Sequence, residues 1–144
     1  MASRHPPRVV EWADRFAPDL EVFEAIASQT LAQLPREIIA QCGHLQITLA
    51  EFADEAILDA MGIEDAFELM GLFEGNGLTQ GAAELLTGQM PNRIWLFRRP
   101  ILDYWAAGTE SLGNVIAHVL IHEIGHHFGL SDEDMDAIEA AAED

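Results

Sequence analysis

The sequence predicts a single domain of mixed helix and strand, with a histidine-rich helix near the C-terminus. The chain has 144 residues, the length of one ordinary domain, and 49% of them are hydrophobic, so a sizeable core can be buried. Apolar residues recur at helical spacing in two long stretches, and short apolar or β-branched runs lie between them. Three histidines then fall within one short stretch, His122–Asp132.

The first part of the chain predicts a lead-in and one helix. Residues 1–17 include two adjacent prolines and are expected to be a partly flexible lead-in, which leaves 18–144 as the domain. Apolar residues recur at helical spacing from Leu20 to Leu34, and Pro35 then ends this helix because proline cannot continue the backbone hydrogen bonds.

Short elements are predicted in the middle of the chain. Residues 36–42 fit no single pattern, whereas residues 44–52 contain β-branched residues and predict a strand. A short helix follows, with Asp54 as its N-cap and Gly62 at its C-terminal end. A second short helix is predicted over residues 64–70.

Two further strands are predicted before the histidine-rich helix. Leu72 and Phe73 indicate a brief strand, and a glycine-rich loop extends from there to Gly81. The clearest strand is Asn92–Pro100, because it holds four consecutive large apolar residues between two prolines. Residues 101–108 predict a short helix or turn.

Two helices complete the prediction. The first starts near Thr109 and stops at Gly129, and it is mostly apolar, so we expect it to be largely buried. The second is short and acidic, with Ser131 or Asp132 as its cap.

The charge excludes several classes of partner. The net charge is −18, from 7 basic against 25 acidic residues, and such a chain repels nucleic-acid phosphates and anionic membranes. We therefore expect no nucleic-acid and no membrane partner. The small basic group Arg93, Arg98 and Arg99 is interpreted as edge-strand charge that discourages aggregation, not as a nuclease surface.

The single cysteine and the N-terminal sequence indicate a cytoplasmic location. Cys42 has no second cysteine with which to form an internal disulfide, which suits a reducing compartment. The N-terminal stretch has no apolar core of the kind that secretory signals contain, and no segment is long and apolar enough to span a bilayer.

The motif H-E-x-x-H carries the chemistry. On a helix His122 and His126 lie four residues apart, so both imidazoles project from one face and can bind one metal ion. Glu123 follows His122 directly and points to the side of this pair. That position suits a general base that takes a proton from a water on the metal, and it does not suit a ligand.

The third ligand is expected after the helix. Gly129 can adopt a positive φ and turn the chain sharply, which brings the next residues back toward the metal. Asp132 lies three residues past this glycine and is the preferred oxygen ligand. Asp134 and Asp136 are alternatives with poorer spacing.

Three further side chains have possible roles at or near the motif. His118 lies one turn before His122 on the same face, and a hydrogen-bonding or packing role is favoured over metal ligation because of its ~6 Å axial offset. His127 faces elsewhere and is interpreted as structural. Tyr104 and His118 are candidates for a second donor to the oxyanion of a reacting carbonyl.

Three stretches together resemble a known family. They are "HEIGHHFGLSDEDM", "GLFEG" and "PNRIWLFRRPIL", and they look like the small zincin-like metallopeptidases of bacteria, the minimal zincins. This resemblance implies an α+β fold in which a small twisted mixed sheet packs on an active-site helix. It also implies that His122, His126 and Asp132 bind zinc and that Glu123 is catalytic.

The predicted function is zinc-dependent hydrolysis of peptide bonds through a water activated by Glu123. One zinc ion per chain is expected, although the carboxylate ligand also suits iron, manganese or cobalt. The partner is a peptide or protein substrate, with the sheet edge at residues 92–97 or 71–73 as the candidate docking strand.

The alternative is a metal-stabilised regulatory or protein-binding module with little catalysis. The short stretch after Asp132 favours this alternative, because Met135 follows too closely for the methionine-containing turn of the related metzincins to be expected. The retained Glu123 argues against it, because a structural metal site needs no base.

Overall fold

A computed structural model describes residues 12–75 and 92–143. Six helices lie in these ranges: α1 (Leu20–Ala32), α2 (Arg36–Cys42), α3 (Glu55–Met61), α4 (Arg98–Ala107), α5 (Leu112–His127) and α6 (Asp132–Glu143). The three strands are β1 (Leu45–Ala50), β2 (Gly71–Glu74) and β3 (Asn92–Phe97). None of the helices in these ranges combines the length and apolar character needed to cross a membrane.

The sheet is small and mixed, in the order β1-β3-β2. β3 pairs in parallel with β1 and antiparallel with β2, so the predicted α+β architecture is confirmed. β3 is therefore the central strand, and the interpretation of Arg93 as edge-strand charge is wrong. Its run of four large apolar residues fits this central place, because strands covered on both faces are apolar throughout.

The two faces of β3 belong to two separate hydrophobic clusters. Successive side chains of a strand point to opposite faces. Ile94 and Leu96 lie in the main core with α1 and α5, while Phe97 lies in a smaller cluster that Trp95 packs against. This core holds α5 against the sheet, which positions the histidine motif beside β2 and β3.

Several predicted boundaries agree with the structure, and others differ; α5, for example, is predicted to start near Thr109 and begins at Leu112 after the Ser111 cap. Asp54 caps α3 by accepting a hydrogen bond from the Ile57 amide at 2.8 Å, and Gly62 ends α3 with a φ of 70°. The ambiguous residues 36–42 form α2. Residues 64–70 contain only a single 3-10 turn, Ala66–Glu68.

The strand predicted to reach Pro100 stops at Phe97, and α4 begins at Arg98. Pro100 lies in the first turn of α4, where its missing amide hydrogen costs nothing. Arg98 is anchored there, because it donates to the Pro18 carbonyl at 2.6 Å and to Glu51 at 2.8 Å. The predicted glycine-rich loop beyond Gly75 and most of the lead-in fall outside the described residues.

A tight turn joins α5 to α6. Gly129 has a φ of 74°, the Leu130 amide donates to the Gly125 carbonyl at 2.8 Å, and the Gly129 amide donates to the His126 carbonyl at 3.3 Å. This pair of bonds is the Schellman arrangement, which a left-handed glycine permits. Ser131 then caps α6 by accepting from the Asp134 amide at 3.0 Å, so Asp132 is the first residue of α6.

The side chain of Met135 packs α6 against α5. It is fully buried and packs against Gly125, where an added Cβ would lie 2.6 Å from the Met135 Cγ. Gly125 stands between Glu123 and His126 in the sequence motif. The close approach of α6 to the motif helix therefore depends on the absence of a side chain at Gly125 and on the bulk of Met135.

Candidate active site

Three histidines form a stripe along α5. His118 and His126 are exposed, and His122 between them is partly buried. The ring centroids of His118 and His122 are 4.0 Å apart, and those of His122 and His126 are 5.8 Å apart. His122 is thus the middle member of two overlapping pairs, each spaced four residues apart on one helical face.

Glu123 lies to the side of this stripe, against strand β2. Its carboxylate accepts a hydrogen bond from the Phe73 backbone N–H and interacts electrostatically with His126. Burial raises the pKa of Glu123 above its usual range, and the contacts with His126 and with the Phe73 amide only partly offset this effect. A carboxyl with a raised pKa beside histidines is what a general base requires.

Strand β2 approaches α5 closely because it begins with a glycine. A Cβ on Gly71 would lie 2.6 Å from the Val119 Cγ1 and 3.5 Å from the Glu123 Cγ. The Phe97 amide donates to the Met70 carbonyl at 2.9 Å. In an antiparallel pair, residues that hydrogen-bond to the partner strand alternate with residues that do not. Met70 bonds to Phe97, so the backbone N–H and C=O groups of Gly71 and Phe73 point away from β3. Among the described strands none pairs with that side of β2.

His127 packs against the same strand. Its ring stacks on Phe73, with centroids 4.0 Å apart and an interplanar angle of 23°. Its Nε2 is buried and has no hydrogen-bond partner among the described residues. His127 therefore helps to hold the end of α5 against β2, on the side occupied by Glu123.

The structure does not gather all the predicted ligands. Asp132 is exposed at the start of α6, as are Asp134 and Asp136. Within residues 12–75 and 92–143, the group whose ligand atoms all lie within 4.8 Å of one another is His118, His122 and Glu139. His126 and Asp132 do not complete such a group with His122 in this arrangement.

Glu139 is the residue that the sequence analysis missed. His118 Nδ1 donates to Glu139 Oε1 at 2.9 Å, and His122 Nε2 lies 3.4 Å from Glu139 Oε2. The residue is seven positions beyond Asp132, two turns along the acidic helix. Only the packing of α6 on α5 shows which of its many carboxylates meets the histidines.

Tyr104 lines a cavity to which no motif residue contributes. It is 52% exposed and shares that surface cavity with Trp105, Gly108, Thr109, Glu110 and Val115. His118, the other candidate oxyanion donor, has its Nδ1 engaged with Glu139.

The donor set fits a zinc ion. Imidazoles and a carboxylate are the ligands that zinc takes in open, reactive sites. His122 Nε2 is buried and makes no hydrogen bond to any described residue, although Glu139 is near. A buried nitrogen of this kind is costly unless it is satisfied, and a metal ion would satisfy it.

The comparison with protein families agrees with this geometry. A model of the zincin-like metallopeptidase family matches residues 42–142, which include the sheet, α5 and nearly all of α6. The resemblance seen in the sequence is thereby confirmed. A search of curated proteins found no significant match.

Proposed function

Because the chain belongs to the zincin-like metallopeptidase family, we propose that it hydrolyses peptide bonds with a zinc ion bound between α5 and α6. The family implies a metal, typically zinc, and a peptide or protein substrate. In this proposal His122, His126 and Asp132 hold the ion, one per chain, and Glu123 is the catalytic base. Asp132 comes directly after the turn at Gly129 and is exposed, which leaves its carboxylate free to turn toward His126.

The position of Glu123 carries the proposal. Its carboxylate lies between His126 and the side of β2 that no described strand pairs with, and burial raises its pKa. A merely structural metal site would gain nothing from a partly buried carboxylate, which costs free energy when ionised. The same group is useful as a base, because a raised pKa strengthens its hold on a proton that it takes from water.

The residues around Glu123 have separate roles in the proposed hydrolysis. The outward backbone groups of Gly71 and the outward carbonyl of Phe73 can pair with an extended peptide, which would add a strand on the side of β2 that no described strand pairs with. The Phe73 N–H itself is engaged by Glu123. Gly71 lets β2 lie close to Val119 and Glu123 on α5, so a peptide paired with β2 would lie near Glu123. Glu123 accepts a proton from water and returns it to the leaving amine. Zinc, when bound, polarises the scissile carbonyl and lowers the pKa of water.

Zinc removal and restoration test this proposal. We expect chelator-treated protein to lose cleavage of a broad peptide library and to regain it with one equivalent of zinc. His126→Ala should lower the zinc-restored cleavage about 100-fold or more, because loss of even an outer-sphere partner costs 10–100-fold in metal affinity or activity. His44→Ala is the matched control, since His44 is an exposed histidine that precedes β1.

Two outcomes would contradict the proposal. Cleavage that survives exhaustive chelation would exclude a zinc mechanism. Zinc binding by wild-type protein with no cleavage of any library peptide would favour the alternative, a metal-stabilised binding module.

A further inference from the structure

A second cluster of metal-binding side chains lies beside the proposed peptidase position. His118, His122 and Glu139 present two imidazoles and one carboxylate, and their ligand atoms lie within 4.8 Å of one another. Donors bound to a zinc ion at roughly 2.0–2.2 Å lie no more than about 4.4 Å apart. The three side chains are therefore already close to the spacing that one ion would impose.

This cluster is more enclosed than a chance surface group. The side chains of His122 and Glu139 are 20% and 17% exposed, whereas that of His118 is 47% exposed. Glu139 holds His118 through contacts of 2.9 and 3.1 Å. His122 Nε2 faces the same carboxylate at 3.4 Å without a hydrogen bond to any described residue. The cluster thus contains a buried nitrogen, His122 Nε2, that can bind a metal ion and makes no hydrogen bond to any described residue.

The two positions compete because they share His122. The pair His118 and His122 repeats the four-residue spacing of His122 and His126, one turn earlier on α5. The centres of the two pairs are displaced along the helix by about 6 Å. Glu123 is three residues from His126 and five from His118 on α5, and residues three or four apart are the neighbours on a helix surface. Glu123 therefore lies beside the later pair.

We propose that His118, His122 and Glu139 form a second, non-productive zinc position that competes with the peptidase position for His122. This inference rests on the proposed function. An ion at the second position leaves His126 and Asp132 without their shared partner and lies beyond the reach of Glu123. Glu139 thereby regulates the enzyme, because it determines how much bound zinc is catalytically useful.

Metal titration of variants tests the second position without reference to activity. The double variant H126A/D132N removes two exposed ligands of the peptidase position. We expect it to bind one cobalt or zinc ion per chain, with a cobalt absorption spectrum different from that of wild type. Adding Glu139→Gln to it should lower the affinity tenfold or more. Adding Glu133→Gln, an exposed change on the same helix, should not.

The results separate this inference from the proposed function. No metal binding by folded H126A/D132N would overturn the second position, whatever the peptidase activity of wild type. Two ions per wild-type chain would overturn the competition for His122. Glu139→Gln alone gives an independent check: at limiting zinc its cleavage rate per bound ion should exceed that of wild type, and an equal or lower rate would contradict the inference. If wild type does not cleave peptides but H126A/D132N still binds one metal ion, the proposed peptidase function is contradicted and the second metal position is not.

Discussion

Glu123→Gln is expected to abolish most peptide cleavage while zinc stays bound. Glutamine keeps the size of the side chain and can still accept the Phe73 amide hydrogen bond, but it cannot take a proton from water. General base catalysis contributes about 10²–10⁴-fold, so kcat/KM should fall by about that factor. The measurement is cleavage of a fluorogenic peptide at a zinc content determined for each preparation.

The control for this substitution is Glu133→Gln, the same chemical change at an exposed position on α6. It should leave both zinc content and cleavage unchanged. A Glu123→Gln variant that keeps zinc and cleaves as fast as wild type would show that Glu123 is not the base.

Glu123→Gln should also change how the free energy of unfolding of the metal-free protein depends on pH. Burial raises the pKa of Glu123 in the folded state, so between its unfolded and folded pKa values the folded protein binds more protons. The free energy of unfolding of wild type therefore falls as pH rises through this window. Glutamine does not titrate, so the stability of Glu123→Gln relative to wild type should rise as pH rises through this window, measured by urea unfolding with chelator present.

Met135→Ala is expected to destabilise the fold strongly and to weaken the packing of α6 on α5. The side chain is fully buried against Gly125, and truncation of buried methionine to alanine costs about 2–5 kcal/mol through lost burial and a remaining cavity. Urea unfolding measures this cost. Because Met135 holds α6 on α5, the contacts of Glu139 with His118 and His122 should loosen as well.

Met61→Ala is the matched control, because Met61 is 45% exposed at the end of α3. Exposed substitutions usually change stability by less than about 0.5 kcal/mol. Equal losses for the two methionine variants would mean that Met135 does not fasten α6 to α5.

Local signals explain what the sequence could predict. The cap at Asp54, the glycine ends at Gly62 and Gly129, and the cap at Ser131 depend on neighbouring residues only, and the structure contains each of them. The motif His122-Glu123-x-x-His126 is local too. Its helical spacing alone places the histidines on one face and the glutamate to the side.

Tertiary packing explains what the sequence could not predict. The central place of β3 depends on which strands pair, and its flanking arginines suggested an edge instead. The contact of Glu139 with His118 and His122 depends on how α6 lies on α5, which Met135 and Gly125 decide. No spacing rule distinguishes Glu139 from the other carboxylates of that acidic helix.

A crystal structure of the zinc-loaded protein with a peptide hydroxamate is the most direct test of the account. We expect zinc on His122, His126 and Asp132, the inhibitor on the metal beside Glu123, and the peptide paired along the outward groups of Gly71 and the Phe73 carbonyl. An inhibitor bound away from β2, or a zinc ion whose positions are all filled by protein side chains, would contradict the proposed peptidase site.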